Sequence, residues 1–426
     1  MKLKFLLPAF VLAAALLSGC GGLGKSSNSG SVRLVNGTAD YSALDLYATD
    51  SKAISNVASY AGSGFVSVGS GSQTFKLTQV GSTTSVFQVA SSVTKDVNYS
   101  LVAYTTNNAL QMLTITENET TPVSGNGQIR VFNTSAEVGS VDVYVVATGS
   151  DLTSATPIAS GITLSSSSGF VDVAKGTYRI VVTANQDKTD IRLDIPSFTL
   201  ADQQVVNLVL TKTPGGVLAN GLAVVQAGNV TAYQNTSARM RLVADVAASG
   251  VVTATVNGVT LGSGMTSPAV NGAYSLVPAG SLSIAATING TTVNVPSGTT
   301  AAAGDDITLL VMGSAAAPNF VVIHDDNTLA ASGFSKVRLL NGINGATAGL
   351  TLTIDYSDVA NGITPGTVST SQKVASGTGI NINVAASGSS TSLYTNSIAS
   401  LASGSVYTVF MLGDSSAPVG FLRKDR

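Results

Sequence analysis

The sequence has few of the residues that most often carry chemistry. Its 426 residues include one Cys, one His and no Trp, and charged residues make up 10 % of the chain, against about 25 % in an average soluble protein. A single Cys excludes an internal disulfide and a multi-Cys metal site, and a single His excludes a zinc site built on several histidines. A net charge of −2 without a basic patch argues against nucleic-acid binding.

The amino terminus has the organisation of a secretory signal peptide. Lys2 and Lys4 precede an apolar stretch at 5–17, which is shorter than the roughly 20 residues that span a bilayer. The stretch ends in Leu17-Ser18-Gly19-Cys20, which contains the only Cys of the chain. This motif resembles the lipobox of bacterial lipoproteins. In that family the Cys sulfur receives a diacylglyceryl group, the chain is cut before the Cys, and the new amino group is acylated.

The resemblance implies a signal peptide at 1–19 and a covalent lipid on Cys20. Two or three acyl chains make release from a membrane very slow, since each buried CH₂ contributes about 0.8 kcal/mol. Gly21 and Gly22 follow the Cys in place of the Asp that retains such lipoproteins in the inner membrane, so we expect an outer-membrane lipoprotein. Residues 20–31 comprise the lipidated Cys and a Gly/Ser-rich tether whose root-mean-square span is about 18 Å.

The remainder of the chain is a fourfold repeat. Four segments open alike, with Arg-to-Arg spacings of 97, 111 and 97 residues: Val32-Arg33-Leu34-Val35-Asn36, Ile129-Arg130-Val131-Phe132-Asn133, Met240-Arg241-Leu242-Val243-Ala244 and Val337-Arg338-Leu339-Leu340-Asn341. Each is followed by short segments rich in Val, Ile, Thr and Tyr, and clusters of Gly, Asn and Ser separate these segments. No long helical pattern occurs. About seven short strands in some 100 residues are typical of a β-sandwich.

We therefore predict an all-β chain of tandem immunoglobulin-like β-sandwich domains after a lipoprotein signal peptide. The predicted repeats are 32–126, 127–228, 238–334 and 335–426, the last two diverged. Short linkers at 117–127, 228–237 and 324–335 favour a rod with limited bending. The opening Arg is predicted to face outward, paired with an acid such as Asp45 or Asp142 or solvated. The opening Asn suits a turn, because its side chain bonds the local backbone.

The openings of repeats one and two carry a family resemblance. The segments beginning at Val32 and Ile129, with the strands Asp45-Leu46-Tyr47 and Asp142-Val143-Tyr144, resemble the start of the domain of unknown function numbered 4397. That family occurs in secreted and surface-attached microbial proteins, often in tandem. The resemblance implies architecture and location but no activity. Repeats three and four depart from it, because Ala244 replaces Asn and the Asp-x-Tyr strand is absent.

A search for reactive groups finds no catalytic residue and no metal motif. A Ser-His-Asp triad could use only His324, which lies in a predicted turn, and Cys20 is consumed by lipid. Paired carboxylates of a hydrolase would need a cleft that tandem sandwiches do not obviously offer. Acidic segments in predicted loops could supply oxygen ligands to calcium, although none has the spacing of a known loop and solvated turns explain them as well: Asp187-Lys188-Thr189-Asp190, Asp305-Asp306 and Asp325-Asp326-Asn327.

Three function classes stay open. The leading one is a non-enzymatic envelope lipoprotein, a stalk or display module for structural or adhesive protein–protein contact. The stretches 246–304 and 374–413 contain no charged residue. Charges on edge strands prevent pairing with other chains, so the sheet edges of repeats three and four could contact a partner or another copy. The alternative is a glycan or extracellular-matrix binding module, weakened by the absence of Trp and by Tyr and Phe in strand positions that look buried. An envelope hydrolase comes third.

Overall fold

A computed structural model of the chain describes residues 28–106, 109–213 and 216–426. Within these ranges the chain forms 39 β-strands and no helix, which confirms the predicted all-β fold of tandem sandwiches. The predicted signal peptide, the lipobox and Cys20 lie outside the described residues. No helix in the described part of the chain has the length and apolarity to cross a membrane.

Repeats one and two consist of nine and ten strands. Repeat one contains β1 (Ser29–Asn36), β2 (Ala43–Ala48), β3 (Ser51–Ala58), β4 (Ala61–Gly62), β5 (Val66–Gly69), β6 (Gly71–Gln79), β7 (Ser85–Val93), β8 (Asn98–Thr106) and β9 (Ala109–Glu117). Repeat two contains β10 (Asn126–Asn133), β11 (Val141–Ala147), β12 (Ala159–Ile162), β13 (Ser166–Ser167), β14 (Val171–Ala174), β15 (Gly176–Ala184), β16 (Asp187–Leu200), β17 (Val205–Thr213), β18 (Gly216–Val225) and β19 (Val230–Tyr233).

Repeats three and four follow the same plan. Repeat three contains β20 (Ser237–Val246), β21 (Val251–Val256), β22 (Val259–Thr266), β23 (Ala269–Val270), β24 (Ser275–Pro278), β25 (Gly280–Ser281), β26 (Ile284–Ile288), β27 (Thr291–Val293), β28 (Thr300–Ala301), β29 (Asp306–Ser314) and β30 (Ala317–His324). Repeat four contains β31 (Phe334–Asn341), β32 (Leu350–Ile354), β33 (Ser357–Ile363), β34 (Thr367–Val368), β35 (Gln372–Ala375), β36 (Gly377–Ala386), β37 (Ser392–Leu401), β38 (Val406–Asp414) and β39 (Ala417–Lys424).

Two facing sheets make up each repeat, and repeat three also has a two-stranded sheet of β25 and β28. In repeat one the first sheet has the order β4-β1-β8-β9, with β5 also on β1, and the second has the order β3-β2-β6-β7. The opening strand β1 runs parallel to β8, and the same parallel pair recurs as β10–β17, β20–β29 and β31–β38. Strand β19 extends the first sheet of repeat two. It lies inside the predicted linker 228–237, so repeat two runs beyond its predicted end at 228.

Each opening strand is apolar on both of its faces. In β20, Met240 and Leu242 point into the core of their own sandwich, whereas Arg241 and Val243 point away from it. Since successive side chains of a strand alternate between faces, every opening segment places an Arg and an apolar residue on the outer face. An outer face of this kind gains stability when a neighbouring sheet covers it.

The repeats cover these outer faces by packing in pairs. Repeats one and two share a buried cluster of Val35, Val102, Ile115, Val209, Leu222 and Val224. Repeats three and four share a second cluster of Val243, Leu310, Met312, Ile323, Leu340, Phe410 and Leu412. The predicted rod of units in single file is therefore wrong within each pair, because apolar sheet faces meet side by side.

Candidate functional site: charged junctions between repeats

The opening arginine of repeat one is buried between repeats. Arg33 is 2 % exposed, and its Nε donates to Ser100 Oγ at 2.6 Å while Nη2 donates to Glu117 Oε1 at 2.6 Å. The same guanidinium donates to the carbonyl oxygens of Val225 and Gly228 in repeat two. It faces out of its own sandwich, as predicted, but it is not solvated, because repeat two covers it.

The acids that the sequence offered as partners have other roles. Asp45 pairs with Lys52 at 2.6 Å, and Asp142 accepts backbone N–H groups from Gly161 and Gln186 at 2.9 Å each. The predicted pairing of the opening arginines with Asp45 or Asp142 is therefore wrong. The acids that bind Arg33, Arg241 and Arg338 come from the carboxyl-terminal ends of repeats, at Glu117, Asp425 and Asp325.

An arginine, a hydroxyl and an acid form a unit that recurs in three repeats. In each, the Arg Nε donates to a hydroxyl on the parallel strand, and that hydroxyl donates to an acid 17 residues further on. The three units are Arg33, Ser100 and Glu117 in repeat one; Arg241, Thr308 and Asp325 in repeat three; and Arg338, Thr408 and Asp425 in repeat four. A constant spacing of hydroxyl and acid was the sequence signal that could have revealed them.

Repeats three and four exchange the acids of their units. Arg241 Nη1 lies 2.5 Å from Asp425 Oδ1, and Arg338 Nη2 lies 2.6 Å from Asp325 Oδ1. Burial by itself lowers the pKa of Arg338, but Asp325 and Asp425 outweigh it and raise that pKa above its usual value. Each repeat therefore supplies the countercharge for the other. We call these four residues the exchanged pair.

A second set of charges joins repeat two to repeats three and four. Arg239 binds Asp306 through two hydrogen bonds of 2.7 and 2.6 Å, and Asn327 Nδ2 donates to the same carboxylate at 2.7 Å. Arg192 of repeat two pairs with Asp190 at 2.5 Å, and Asp190 lies 3.6 Å from Arg239. Burial lowers the pKa of Arg192 to about 10, although Asp190 acts in the opposite direction.

Arg426 completes this contact, which we call the central junction, defined by Arg192, Arg239, Asp306, Asn327 and Arg426. The Arg426 guanidinium donates to the carbonyl oxygens of Asn327 and of Glu137 in repeat two, and it lies 3.6 Å from Glu137 Oε2. Burial lowers the pKa of Arg426 to about 10, and the nearby positive charge of Arg192 acts in the same direction. The junction ties the two pairs of repeats to each other with fixed, directional bonds.

Two clefts open beside the central junction. One of about 530 Å³ is lined by Asp190, Arg239, Tyr274 and Asp425 among others, and Tyr274 donates from its hydroxyl to Asp325 Oδ2 at 2.7 Å. The other, of about 730 Å³, lies between repeat two and the segment that links repeats three and four. Most of their charged lining residues are already engaged in contacts between repeats, whereas Asp187 accepts hydrogen bonds within its own turn.

The acidic segments considered for calcium now have known partners. Asp187 accepts the backbone N–H of Thr189 at 2.9 Å, and Asp326 pairs with Lys336 at 2.8 Å. Asp306 and Asp325 bind the arginines described above, so a metal ion there would have to displace a guanidinium. Among residues 28–106, 109–213 and 216–426, no group of three or more His, Cys, Asp or Glu side chains is arranged to hold a metal ion.

Two further sequence predictions concern single residues. His324 ends β30, where its Nδ1 lies 3.5 Å from Asp305 Oδ2 and its side chain is 62 % exposed. The turn role of the opening Asn is confirmed. Asn36 donates to the carbonyl oxygens of Tyr41 and Val57 at 3.0 and 3.1 Å and accepts the backbone N–H of Thr38 at 3.2 Å.

Comparison with known proteins gives a family and no function. Three solved structures are similar: the Bacillus anthracis TIE protein (11 % identity, 91 % of this chain, 69 % of that chain, TM-score 0.15), a complex of the multi-modular glycogen-degrading pneumococcal virulence factor SpuA (8 %, 86 %, 37 %, TM-score 0.16) and a proposed cell adhesion protein from Parabacteroides distasonis (11 %, 71 %, 99 %, TM-score 0.18). At these TM-scores we draw no conclusion from them. No curated protein matches the chain.

The family match falls on two ranges. The sequence model of the Domain of unknown function (DUF4397) matches residues 30–144 and 238–349. The first range spans repeat one and the start of repeat two, and the second spans repeat three and the start of repeat four. Repeat three, which Ala244 had seemed to set apart, thus lies within a match. Because the two ranges cover just over half of the sequence, the chain belongs to the DUF4397 family.

Proposed function

We propose that this chain is a non-enzymatic envelope lipoprotein that presents a rigid body of four sandwiches for structural or adhesive protein–protein contact. The observation that carries the proposal is the use of its buried charges. The acids of the exchanged pair and of the central junction each bind an arginine, so the groups best suited to chemistry hold repeats together instead. A body built this way keeps its outer loops at fixed distances from one another, which suits a display module.

Attachment at Cys20 is part of the same proposal. It rests on the lipobox at Leu17, Ser18, Gly19 and Cys20 and on Gly21 and Gly22 after it, which favour the outer membrane. The tether to residue 31 would keep the four sandwiches close to the membrane surface. Contacts with a partner would then use the loops and sheet edges farthest from Ser29.

Protease treatment of unbroken cells tests this proposal. We expect the wild-type protein to fractionate with outer membranes and to be lost when intact cells are treated, because an adhesive role requires the sandwiches to face the outside. The matched control is Cys20→Ala, which we expect to leave the membrane fraction. Wild-type protein that stays protected until the outer membrane is opened would overturn the adhesive function and favour a periplasmic scaffold. A Cys20→Ala protein that stays with membranes would overturn the anchor.

A further inference from the structure

A tyrosine stands at a turn whose backbone disfavours it. Ile354 pairs with Ser357, so Asp355 and Tyr356 form a two-residue turn between β32 and β33, with φ values of 47° and 65°. Such a turn is best made by Asn-Gly, and the matching turn of repeat three is Asn257-Gly258. A bulky side chain with positive φ is strained, and strain of this kind persists where the surroundings or a function require it.

Packing does not account for this tyrosine. Tyr356 is 89 % exposed, more than any other large hydrophobic residue that the structure describes as exposed. Its hydroxyl has no hydrogen-bond partner in the described part of the chain. The sequence predicts that most Tyr and Phe rings are buried in strands, and Tyr356 is an exception. This turn therefore combines an unfavourable backbone conformation with an aromatic ring that faces the solvent.

A cleft of about 370 Å³ opens beside this turn, between β33 and β35 at one side of repeat four. Asp355 and Ser357, the chain neighbours of Tyr356, line the cleft, so the turn that carries the exposed ring borders it. Its other lining residues combine an apolar floor with polar groups: Ile354, Asp358, Val359, Gln372, Lys373, Val374 and Ala375.

The polar groups of this cleft are available to a ligand. The Asp358 carboxylate makes no hydrogen bond or ion pair within the described residues, and the Gln372 amide nitrogen donates at 2.8 Å only to Thr370. Lys373 Nζ lies 3.7 Å from the centroid of the Phe334 ring, which leaves it near the cleft without a carboxylate partner. Two acids and one lysine line the cleft, so its charge does not favour an anionic ligand.

Repeat one has a corresponding cleft without an aromatic residue at its turn. A cleft of about 440 Å³ opens there between β3 and β5, at the matching side of the sandwich. Its turn holds Thr49 and Asp50, between the paired residues Ala48 and Ser51. The cleft is therefore a property of the fold, whereas the exposed ring belongs to repeat four.

We propose that Tyr356 and this cleft bind a neutral oligosaccharide. An exposed aromatic ring offers a flat apolar surface for the C–H face of a pyranose, and its hydroxyl offers a polar tip. Asp358 and Gln372 are placed to bind sugar hydroxyls, as the few polar groups of a ligand site usually are. This site goes beyond the proposed function, and it stands or falls independently of the lipid anchor.

The test uses the chain from residue 28 onward, which contains all four sandwiches. The probes are immobilised neutral oligosaccharides built from glucose, galactose, mannose and N-acetylhexosamines, followed by titration calorimetry with each sugar that binds. We expect saturable binding that Tyr356→Ala weakens at least tenfold and that Tyr356→Phe retains within about threefold. Asp358→Asn should weaken binding several-fold.

The Tyr356→Gly variant distinguishes the effect of losing the ring on binding from any effect on stability. Glycine adopts positive φ without strain, so this variant should unfold at the same temperature as the wild type or higher, yet bind as weakly as Tyr356→Ala. Three results would each overturn the proposal: no binding of wild-type protein to any of the sugars, equal binding by Tyr356→Gly and wild type, or a loss in Tyr356→Phe as large as that in Tyr356→Ala.

Discussion

The two pairs of repeats differ in the groups that bind the arginines of their opening strands. Repeats three and four exchange acids, so Arg241 and Arg338 each meet a carboxylate from the other repeat at 2.5 and 2.6 Å. Of the two opening arginines in the first pair, only Arg33 is paired with an acid. Arg130 of repeat two donates to Asn207 at 2.8 Å and stacks against Phe132 and Phe170, with its guanidinium carbon 4.7 and 4.2 Å from the ring centroids.

This difference follows from how deeply each arginine is buried. Arg241 and Arg338 are 1 % and 3 % exposed, so a missing countercharge would leave an isolated ion away from water. Arg130 is only half-buried, and aromatic faces with a neutral amide are sufficient there. The exchanged pair thus joins its two sandwiches through ion pairs, whereas Arg33 joins the first pair by donating to the carbonyl oxygens of Val225 and Gly228.

Removing one acid of the exchanged pair should have the largest effect. Asp325→Ala leaves Arg241 and Arg338 sharing Asp425, and loss of one partner from a buried ion pair costs about 3–5 kcal/mol. We expect the opening free energy of β31 and β38, measured by amide hydrogen exchange, to fall by that amount. Strands β1 and β8 should keep their protection.

An exposed pair provides the control for this experiment. Asp50→Ala removes the partner of Lys76 in an ion pair whose Asp side chain is 85 % exposed, and such pairs contribute about 0–1 kcal/mol. An equal loss of protection in Asp325→Ala and Asp50→Ala would mean that the exchanged pair does not hold repeats three and four together.

The second pair of repeats should also respond to pH, through a buried acid between its two members. Asp245 Oδ1 accepts the Gly413 backbone N–H at 2.7 Å, Oδ2 has no partner, and burial raises the pKa of Asp245 to about 7. Between pH 4 and 7 the folded protein thus holds a proton that the unfolded chain has lost. Stability should therefore fall as pH rises through this window, by up to about 4 kcal/mol, and level off above it.

Asp245→Asn tests that dependence. In the matching contact from the other repeat, Asn344 Oδ1 accepts the Gly313 backbone N–H at 2.7 Å. An amide can therefore replace the Asp245 carboxylate as the acceptor of the Gly413 N–H. The variant should show a flatter stability profile from pH 4 to 7 and greater stability than the wild type at pH 8, measured by urea unfolding of the pair. An unchanged profile would contradict the raised pKa. The acids whose pKa is lowered, such as Asp326, change stability only below this window.

The smallest effect is expected where the arginine has no acid. Arg130→Met keeps a long apolar side chain between Phe132 and Phe170 and removes a charge that is partly buried, so stability should change by less than about 1 kcal/mol. Arg338→Met should cost several times more, because Asp325 and Asp425 would lose a cation. Similar losses in both variants, measured by hydrogen exchange in each pair, would contradict the difference between the pairs.

Much of the fold could be predicted from short-range patterns. Alternating apolar residues and turn clusters indicated strands, and the fourfold recurrence of the opening segments indicated repeats. The turn role of Asn36 also followed from local chemistry, since it bonds the backbone of Thr38 and Tyr41, although its bond to Val57 reaches 21 residues along the chain. The resemblance of the first two openings to DUF4397 predicted the right family, although the match extends to repeat three.

The junctions could not be predicted in the same way. Arg33 and Glu117 are 84 residues apart, and Arg241 and Asp425 are 184 apart, so no local pattern pairs them. The opening strands carry apolar residues on both faces, and the prediction of an outward-facing, paired or solvated arginine made no use of them. These residues do not identify a covering repeat by themselves, and a rod was predicted where two pairs formed.

The sequence by itself determined the sandwiches, their number and their order, because strand alternation and turn residues act within a few positions of the chain. Only the tertiary structure decided which repeats pair, which acid meets which arginine, and that Tyr356 is presented to solvent. The physical reason is that a buried charge or an apolar face is stable only against a matching surface. Which surface that is depends on how whole sheets approach one another in space.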